Sequence, residues 1–121
     1  MKVTKAQETI VTAAEGGINY WADRISYVKA DSSLTIRNAV SVDAFVANIR
    51  GVTFRTWETE DGRDYTVTAA EVTKATNRIL TEREPALTNA QIRRYIAEDA
   101  IDADAADCII QVAAFGRIIY G

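Results

Sequence analysis

Four segments of this 121-residue chain place aromatic side chains beside arginines. A guanidinium group can clamp a phosphate or stack on a base, and an aromatic ring can stack on the same base. The segments therefore define one set of candidate ligand-binding residues: Tyr20, Trp21, Arg24, Arg55, Trp57, Arg93, Arg94, Arg117 and Tyr120. Such neighbours also occur on half-buried sheet faces and at subunit interfaces, so ordinary packing remains an alternative interpretation.

The sequence lacks the usual catalytic base, because it contains no histidine. This excludes triads in which histidine is the base and metal sites in which it is a ligand. The single cysteine, Cys108, rules out a disulfide within the chain and fits a reducing compartment. Cys108 lies among apolar residues of a predicted helix, which favours a core thiol over a nucleophile. We therefore expect a protein that is not an enzyme and has no cofactor.

Carboxylates are concentrated near the start of the last predicted helix, at Glu98, Asp99, Asp102, Asp104 and Asp107. Hard cations such as Mg²⁺ and Ca²⁺ bind clustered carboxylates, but this spacing matches no known ion-binding loop. Negative side chains in the first turn of a helix are stabilised by the helix dipole. We interpret the set as helix capping and solvation. A bound cation, and with it a metal-assisted enzyme, is the alternative.

The overall charge excludes more partners than it suggests. Lys and Arg total 14 against 17 Asp and Glu, giving a net charge of −3. Strong nucleic-acid binders are usually basic, so nucleic acid is an unfavoured partner. No apolar run approaches the ~20 residues of a membrane span, and residues 1–15 match neither a signal peptide nor a lipidation motif. We expect a cytoplasmic protein with no membrane partner.

Hydrophobic spacing and capping residues predict the helices. The first runs over residues 4–15, with Thr4 as its N-cap, and ends at Gly16-Gly17, since glycine is favoured where helices end. Capping boxes begin two further helices, and Gly116 ends the last one. The two capping boxes are Thr68 with Glu71 and Thr88 with Gln91, and Asp102 or Asp104 begins the last helix. Ser41 is the predicted cap of a helix over residues 42–49, for which a strand or turn is the alternative.

Alternating β-branched and aromatic residues predict the strands. Residues 18–29 and 34–40 form one predicted hairpin, and residues 52–57 and 63–67 form a second around the Asp61-Gly62 turn. Residues 117–120 form a predicted terminal strand. The sequence thus predicts a single α+β domain over residues 1–121: a small antiparallel sheet of two hairpins and a C-terminal strand, packed with three to four helices.

Two segments of the chain resemble small uncharacterised proteins of bacteriophages and bacterial plasmids. The resemblance rests on EGGINYW at residues 15–21 and on a closing segment that contains DAADCIIQ at 104–111 and FGRIIYG at 115–121. In those proteins an EGGxxYW segment and a closing DxxxQxxxFGxxxYG-like segment bracket a variable middle. We expect the two segments to meet in space, where they form either a packed centre or the rim of a pocket.

The resemblance implies an origin rather than a mechanism. Small accessory proteins of phages often disarm host defences by binding. We therefore expect a non-enzymatic antagonist of a bacterial defence system, which sequesters a small nucleotide signal and is a homo-oligomer in the bacterial cytoplasm. The alternative is an inhibitor that covers a host defence protein through an apolar patch or a sheet edge.

Overall fold

The computed structural model describes residues 1–57, 62–82 and 88–121. Within these ranges the chain forms five helices and one three-stranded antiparallel sheet of order β1-β2-β3. The helices are α1 (Val3–Thr12), α2 (Val42–Ala47), α3 (Ala69–Glu82), α4 (Ala90–Ala97) and α5 (Ala103–Phe115), and the strands are β1 (Ala22–Lys29), β2 (Ile49–Thr56) and β3 (Asp64–Thr68). The predicted α+β class is confirmed, although with more helices and fewer strands than expected.

The helices cover one face of the sheet. Val52 and Phe54 of β2 and Val67 of β3 point to that face and are fully buried. On the opposite face the hydroxyls of Thr53 and Thr66 lie 3.0 Å apart and form a hydrogen bond. Both α1 and α5 contact the sheet, at β2 and β3 respectively. Alternation along β2 therefore separates an apolar core from a polar outer face.

The second predicted hairpin is confirmed. β2 and β3 pair antiparallel, with Val52 opposite Val67 and Phe54 opposite Tyr65. Of the predicted turn, Asp61 lies outside the described residues, and Gly62 has a φ of +65°. That left-handed value favours glycine.

The first predicted hairpin is wrong, because residues 34–40 form turns and β1 pairs with β2 instead. Short polar side chains bind the local backbone there. Asp31 accepts hydrogen bonds from the backbone and the hydroxyl of Ser33, and the Asn38 amide contacts the backbone of both Thr35 and Ser33. These bonds occupy groups that a strand would use in a ladder.

The capping predictions are correct at three helices. Ser41 Oγ accepts from the backbone N–H of Ala44 at the start of α2, and Thr68 and Glu71 form the expected box before α3. Asp102 caps α5, and Gly116 ends it with a φ of +79°. The box expected before α4 is wrong, because Asn89 supplies the cap in place of Thr88.

The first helix ends at the Gly16-Gly17 pair through a π-helical turn, and neither glycine has the positive φ of a left-handed cap. α1 has no side-chain cap, since Thr4 lies inside it, and it continues into a π-helical turn over Ala13–Gly17. A Cβ atom placed on Gly17 would lie 2.8 Å from the carbonyl oxygen of Ala103, whereas one on Gly16 would meet only the Ala103 methyl at 4.0 Å. Gly17 is therefore required for the close approach of this turn to α5.

Gly17→Ala and Gly16→Ala are a matched pair that tests this packing. We expect Gly17→Ala to reduce the free energy of unfolding by about 1–3 kcal/mol, because backbone must move to admit the methyl group. Gly16→Ala should change it by less than about 0.5 kcal/mol. Urea unfolding followed by circular dichroism measures both, and equal effects would show that the approach to Ala103 is not constraining.

Candidate functional site

Asp107 joins the two segments that carry the resemblance. Its side chain lies on α5 and is buried, and it accepts hydrogen bonds from Trp21 Nε1 at 2.7 Å, Tyr20 Oη at 2.6 Å and Gln111 Nε2 at 3.0 Å. Tyr20 and Trp21 follow the π-helical turn, which Gly17 holds against the start of α5. The segments therefore meet, as expected, and they meet at a buried carboxylate.

The prediction that Asp107 lies at a solvated helix start is wrong, because its side chain is buried. Burial raises the pKa of its carboxyl, while the hydrogen bonds from Tyr20, Gln111 and Trp21 act in the opposite direction. Burial, followed by the hydrogen bond to Asp107, raises the pKa of the Tyr20 hydroxyl well above its usual range. Tyr20 is therefore a neutral donor to this carboxylate.

Gln111 attaches the C-terminal segment to the same centre. Its amide oxygen accepts from the backbone N–H groups of Ile119 and Tyr120, both at 2.8 Å, and its Nε2 donates to the Tyr120 carbonyl at 3.0 Å. Residues 117–120 were predicted to form a strand and do not. One buried side-chain amide supplies the hydrogen bonds that a neighbouring strand would have supplied.

Aromatic rings pack around this attachment. The Tyr120 ring stacks on Trp21 at 4.9 Å between centroids with an 8° angle between the planes. Phe54 and Phe115 contact Trp21 edge-on at 5.4 and 5.7 Å. Trp21 is consequently 3% exposed and fixed in orientation by rings on several sides as well as by Asp107.

A groove of about 330 Å³ opens beside these rings. We call it the aromatic groove; its lining residues are Tyr20, Trp21, Trp57, Ile119, Tyr120 and Gly121. Trp57 is 60% exposed and Tyr20 is 50% exposed. The backbone N–H of Trp57 donates to the Trp21 carbonyl at 3.2 Å, which places the Trp57 backbone beside that of Trp21.

The structure brings four of the nine sequence-derived site residues into this groove, and they are the aromatic ones. Three arginines are engaged elsewhere. Arg55 pairs with Asp64 across the sheet, Arg93 donates to the Ile79 carbonyl, and Arg94 pairs with Glu98 one helical turn away. Arg24 and Arg117 are exposed and do not line the aromatic groove.

The acidic residues near α5 do not act as one cluster. Asp99 forms an ion pair with Lys5 at 3.0 Å, Asp102 caps α5 and Asp107 is buried. In the part of the chain that the structure describes, no three His, Cys, Asp or Glu side chains come together as a potential metal site. The capping interpretation is thus correct for Asp102 and wrong for Asp107.

Cys108 is half-buried beside Asp107. Burial, with a smaller contribution from the Asp107 charge, raises the pKa of its thiol to about 11. The thiol is therefore protonated at neutral pH and is a poor nucleophile.

Sequence reasoning missed Asp107, Gln111 and the packing role of Gly17. One signal was available: a buried indole N–H and a half-buried tyrosine hydroxyl need acceptors, and Asp107 and Gln111 are spaced one helical turn apart in the closing segment.

Comparison with models of protein families, with curated proteins and with solved structures finds no match. Among the described residues, no helix is long and apolar enough to span a membrane.

Asp107→Ala should remove the common acceptor of the buried centre. We expect it to reduce the free energy of unfolding by roughly 2–5 kcal/mol, because the N–H groups of Trp21 and Gln111 lose their partner. Asp107→Asn keeps one acceptor oxygen and should cost less. Urea unfolding followed by Trp fluorescence measures the three proteins. Asp104→Asn, at an exposed carboxylate in the first turn of the same helix, is the control and should lower the value by no more than about 1 kcal/mol, the contribution of the helix dipole.

The pH dependence of the stability of the wild type and of Asp107→Asn tests the pKa of Asp107. Because that pKa is higher in the folded chain than its ordinary value of 3.8, the folded state binds the proton more tightly. The stability of the wild type relative to Asp107→Asn should therefore fall as pH rises above about 4 and level off once the carboxyl is ionised in the folded protein. A difference that is flat between pH 3 and 7, or that rises with pH, would contradict the assignment.

Cys108 should react slowly with a disulfide reagent such as 5,5′-dithiobis(2-nitrobenzoate). With a pKa of about 11, its rate should rise about tenfold per pH unit from pH 7 to 10 without levelling off. The protein unfolded in urea is the control, because its thiol should level off near pH 8.5. Steric shielding alone would reduce the rate and leave the levelling pH of the folded protein near that of the control.

Proposed function

We propose that this chain is a non-enzymatic binding protein of a phage or mobile element, which holds a nucleotide in the aromatic groove and thereby removes a signal that a bacterial defence system needs. One observation supports this above the others. The groove presents the half-exposed rings of Tyr20 and Trp57 next to the stacked pair of Trp21 and Tyr120.

Rings in this arrangement suit a planar base. Stacking of a base on an aromatic side chain contributes roughly 1–3 kcal/mol and tolerates any base, since every base has a π face. Hydrogen bonds within the chain hold Trp21 and Tyr120 in place through Asp107 and Gln111. A platform that is ordered in advance loses little conformational entropy when the ligand binds.

Two exposed arginines, Arg24 and Arg117, are the proposed ligands of the phosphates. Arg24 and Arg117 each lie within three residues of a groove-lining position, at Trp21 and Ile119 respectively, and both are exposed. Within the described residues neither forms an ion pair, in contrast to Arg55 and Arg94. Their guanidinium groups therefore remain able to bind phosphate oxygens.

Two further observations support binding rather than catalysis. Both oxygens of Asp107 already accept hydrogen bonds from Trp21, Tyr20 and Gln111. The thiol of Cys108 is protonated at neutral pH because its pKa is about 11. The thiol is therefore not prepared to act as a nucleophile near neutral pH, and neither oxygen of Asp107 lacks a donor within the protein.

Docking of a protein is the second candidate function, and the exposure of the same residues favours it. Trp57, Tyr20 and Ile119 are 60%, 50% and 49% exposed and border one groove. Exposed Trp and Tyr side chains are enriched among residues that dominate binding energy at protein interfaces. A host defence protein, or a second copy of this chain in a homo-oligomer, would bury them.

Fluorescence titration with AMP, GMP, CMP and UMP tests the nucleotide proposal, because a base stacked on Trp57 should quench its emission. Trp57→Ala should weaken binding roughly tenfold or more, and Trp57→Phe should retain most of it, since the phenyl ring still stacks. Val40→Ala is the control: Val40 is an apolar residue that is 96% exposed and does not line the aromatic groove, so binding should not change.

Native mass spectrometry of the protein purified from its bacterial host distinguishes the two candidates. A bound nucleotide in a defined oligomer supports sequestration. If the protein is bare and none of the four nucleotides quenches fluorescence, the nucleotide proposal is rejected. A protein partner that is released by Trp57→Ala and retained by Val40→Ala would then establish the docking function.

A further inference from the structure

The rings of the aromatic groove supply a negative electrostatic potential as well as a stacking surface. The face of an aromatic ring is the negative side of its quadrupole and attracts a cation placed over it. Tyr20 and Trp57 are the exposed rings of the groove. Among the described residues that line the groove, none is basic. The potential inside the groove is therefore set by the rings and by the charges that lie behind them.

Asp107 is the charge directly behind the groove. Its carboxylate accepts hydrogen bonds from Trp21 Nε1 at 2.7 Å and from Tyr20 Oη at 2.6 Å, and both of these residues line the groove. A hydrogen bond to an anion polarises its donor, which here increases the electron density of the ring. These rings therefore attract a cation more strongly than rings whose polar groups are bonded to water.

The Tyr20 hydroxyl shows that negative potential reaches the groove. Burial, the hydrogen bond to Asp107 and the charges of Asp107 and Asp104 all raise the pKa of this hydroxyl. Asp104 is exposed and forms no ion pair with any described residue. Its charge is therefore not neutralised by a neighbouring cation, and the groove is negative where Tyr20 lines it.

The basic side chains nearest in the sequence stand outside the groove. Arg24 and Arg117 lie within three residues of a lining position but do not line the groove themselves. Arg55, two residues before Trp57, is paired with Asp64. The rings of the groove thus keep their attraction for positive charge, while the two exposed arginines serve the phosphates.

We propose that the aromatic groove selects a nucleotide whose base carries a positive charge, as a base methylated on a ring nitrogen does. This preference rests on the proposed function and defines the class of base that the groove takes. A neutral base gains stacking alone, whereas a cationic base also gains attraction to the rings and to the carboxylate behind them. Tryptophan attracts cations most strongly of the aromatic side chains, and Trp57 is the most exposed of the described rings in the groove.

Two isomers of methylated AMP test the charge preference. The base of 1-methyl-AMP is cationic at neutral pH, whereas that of N6-methyl-AMP is neutral. Both isomers carry one methyl group and the same phosphate, so the contributions of Arg24 and Arg117 cancel in the comparison. Measured by isothermal titration calorimetry, 1-methyl-AMP should bind roughly tenfold more tightly than N6-methyl-AMP.

The same titrations separate a failure of the charge preference from a failure of nucleotide binding. If the two isomers bind with equal affinity, or if N6-methyl-AMP binds more tightly, the charge preference is overturned and the proposed function stands. If neither isomer and none of the four unmodified nucleotides binds, the proposed function is rejected and the charge preference with it.

Trp57→Phe shows whether the preference comes from the rings. A phenyl ring still stacks on a base but attracts a cation less strongly than an indole does. The affinity for N6-methyl-AMP should therefore be nearly retained, while the preference for 1-methyl-AMP falls about threefold. A preference as large as that of the wild type would overturn the role of Trp57.

Asp107→Asn removes the charge behind the rings and keeps one acceptor oxygen. The preference for 1-methyl-AMP should fall from roughly tenfold to about threefold or less. Asp43→Asn is the control, since it removes an exposed carboxylate in the first turn of α2 that does not line the groove, and it should leave the preference unchanged. Equal preferences in the two variants would overturn the role of the buried carboxylate. If circular dichroism shows that Asp107→Asn is unfolded, Trp57→Phe decides.

Discussion

A buried carboxylate needs hydrogen-bond donors, and the arrangement of this protein around Asp107 follows from that requirement. The donors are the indole of Trp21, the hydroxyl of Tyr20 and the amide of Gln111. Removing an ionised group from water costs several kcal/mol unless such bonds compensate. Because Tyr20 and Trp21 lie more than eighty residues before Asp107 in the chain, meeting the requirement fixes the end of the π-helical turn against α5. The amide of Gln111 also binds the backbone of Tyr120. Tyr20, Trp21 and Tyr120, which line the aromatic groove, are therefore all attached to Asp107 directly or through Gln111.

The sequence could predict the elements whose signals are local. The Thr68–Glu71 box, the Ser41 cap and the hairpin of β2 and β3 are determined by residues near each other in the chain, and they were predicted correctly. Alternation alone wrongly predicts a strand over residues 34–40, because the Asp31 and Asn38 side chains bind the local backbone there. The α+β class could be predicted because it depends on the sum of such local signals.

The centre of the site could not be predicted, because its determinants are not local. An aspartate in the first turns of a helix satisfies the dipole rule whether it is solvated or buried, and the donors Tyr20 and Trp21 that decide between the two lie far away in the chain. Gly17 satisfies the rule for helix ends equally well, although its real constraint is a carbonyl oxygen of Ala103 contributed by α5. The side-chain amide of Gln111 forms the hydrogen bonds that a neighbouring strand would form, and no propensity scale describes that role. In each of these cases the local sequence indicates one cause, whereas the residue is constrained by contacts with another part of the fold.

Tyr20 belongs both to the aromatic groove and to the buried centre. Its ring lines the aromatic groove, while its hydroxyl donates a hydrogen bond to Asp107. Since burial and the hydrogen bond raise the pKa of this hydroxyl, Tyr20 stays neutral and adds no charge to either side. Any ligand that displaces the ring must break a bond to a buried carboxylate, which is costly. The hydrogen bond to Asp107 therefore fixes the position of the Tyr20 ring at the aromatic groove.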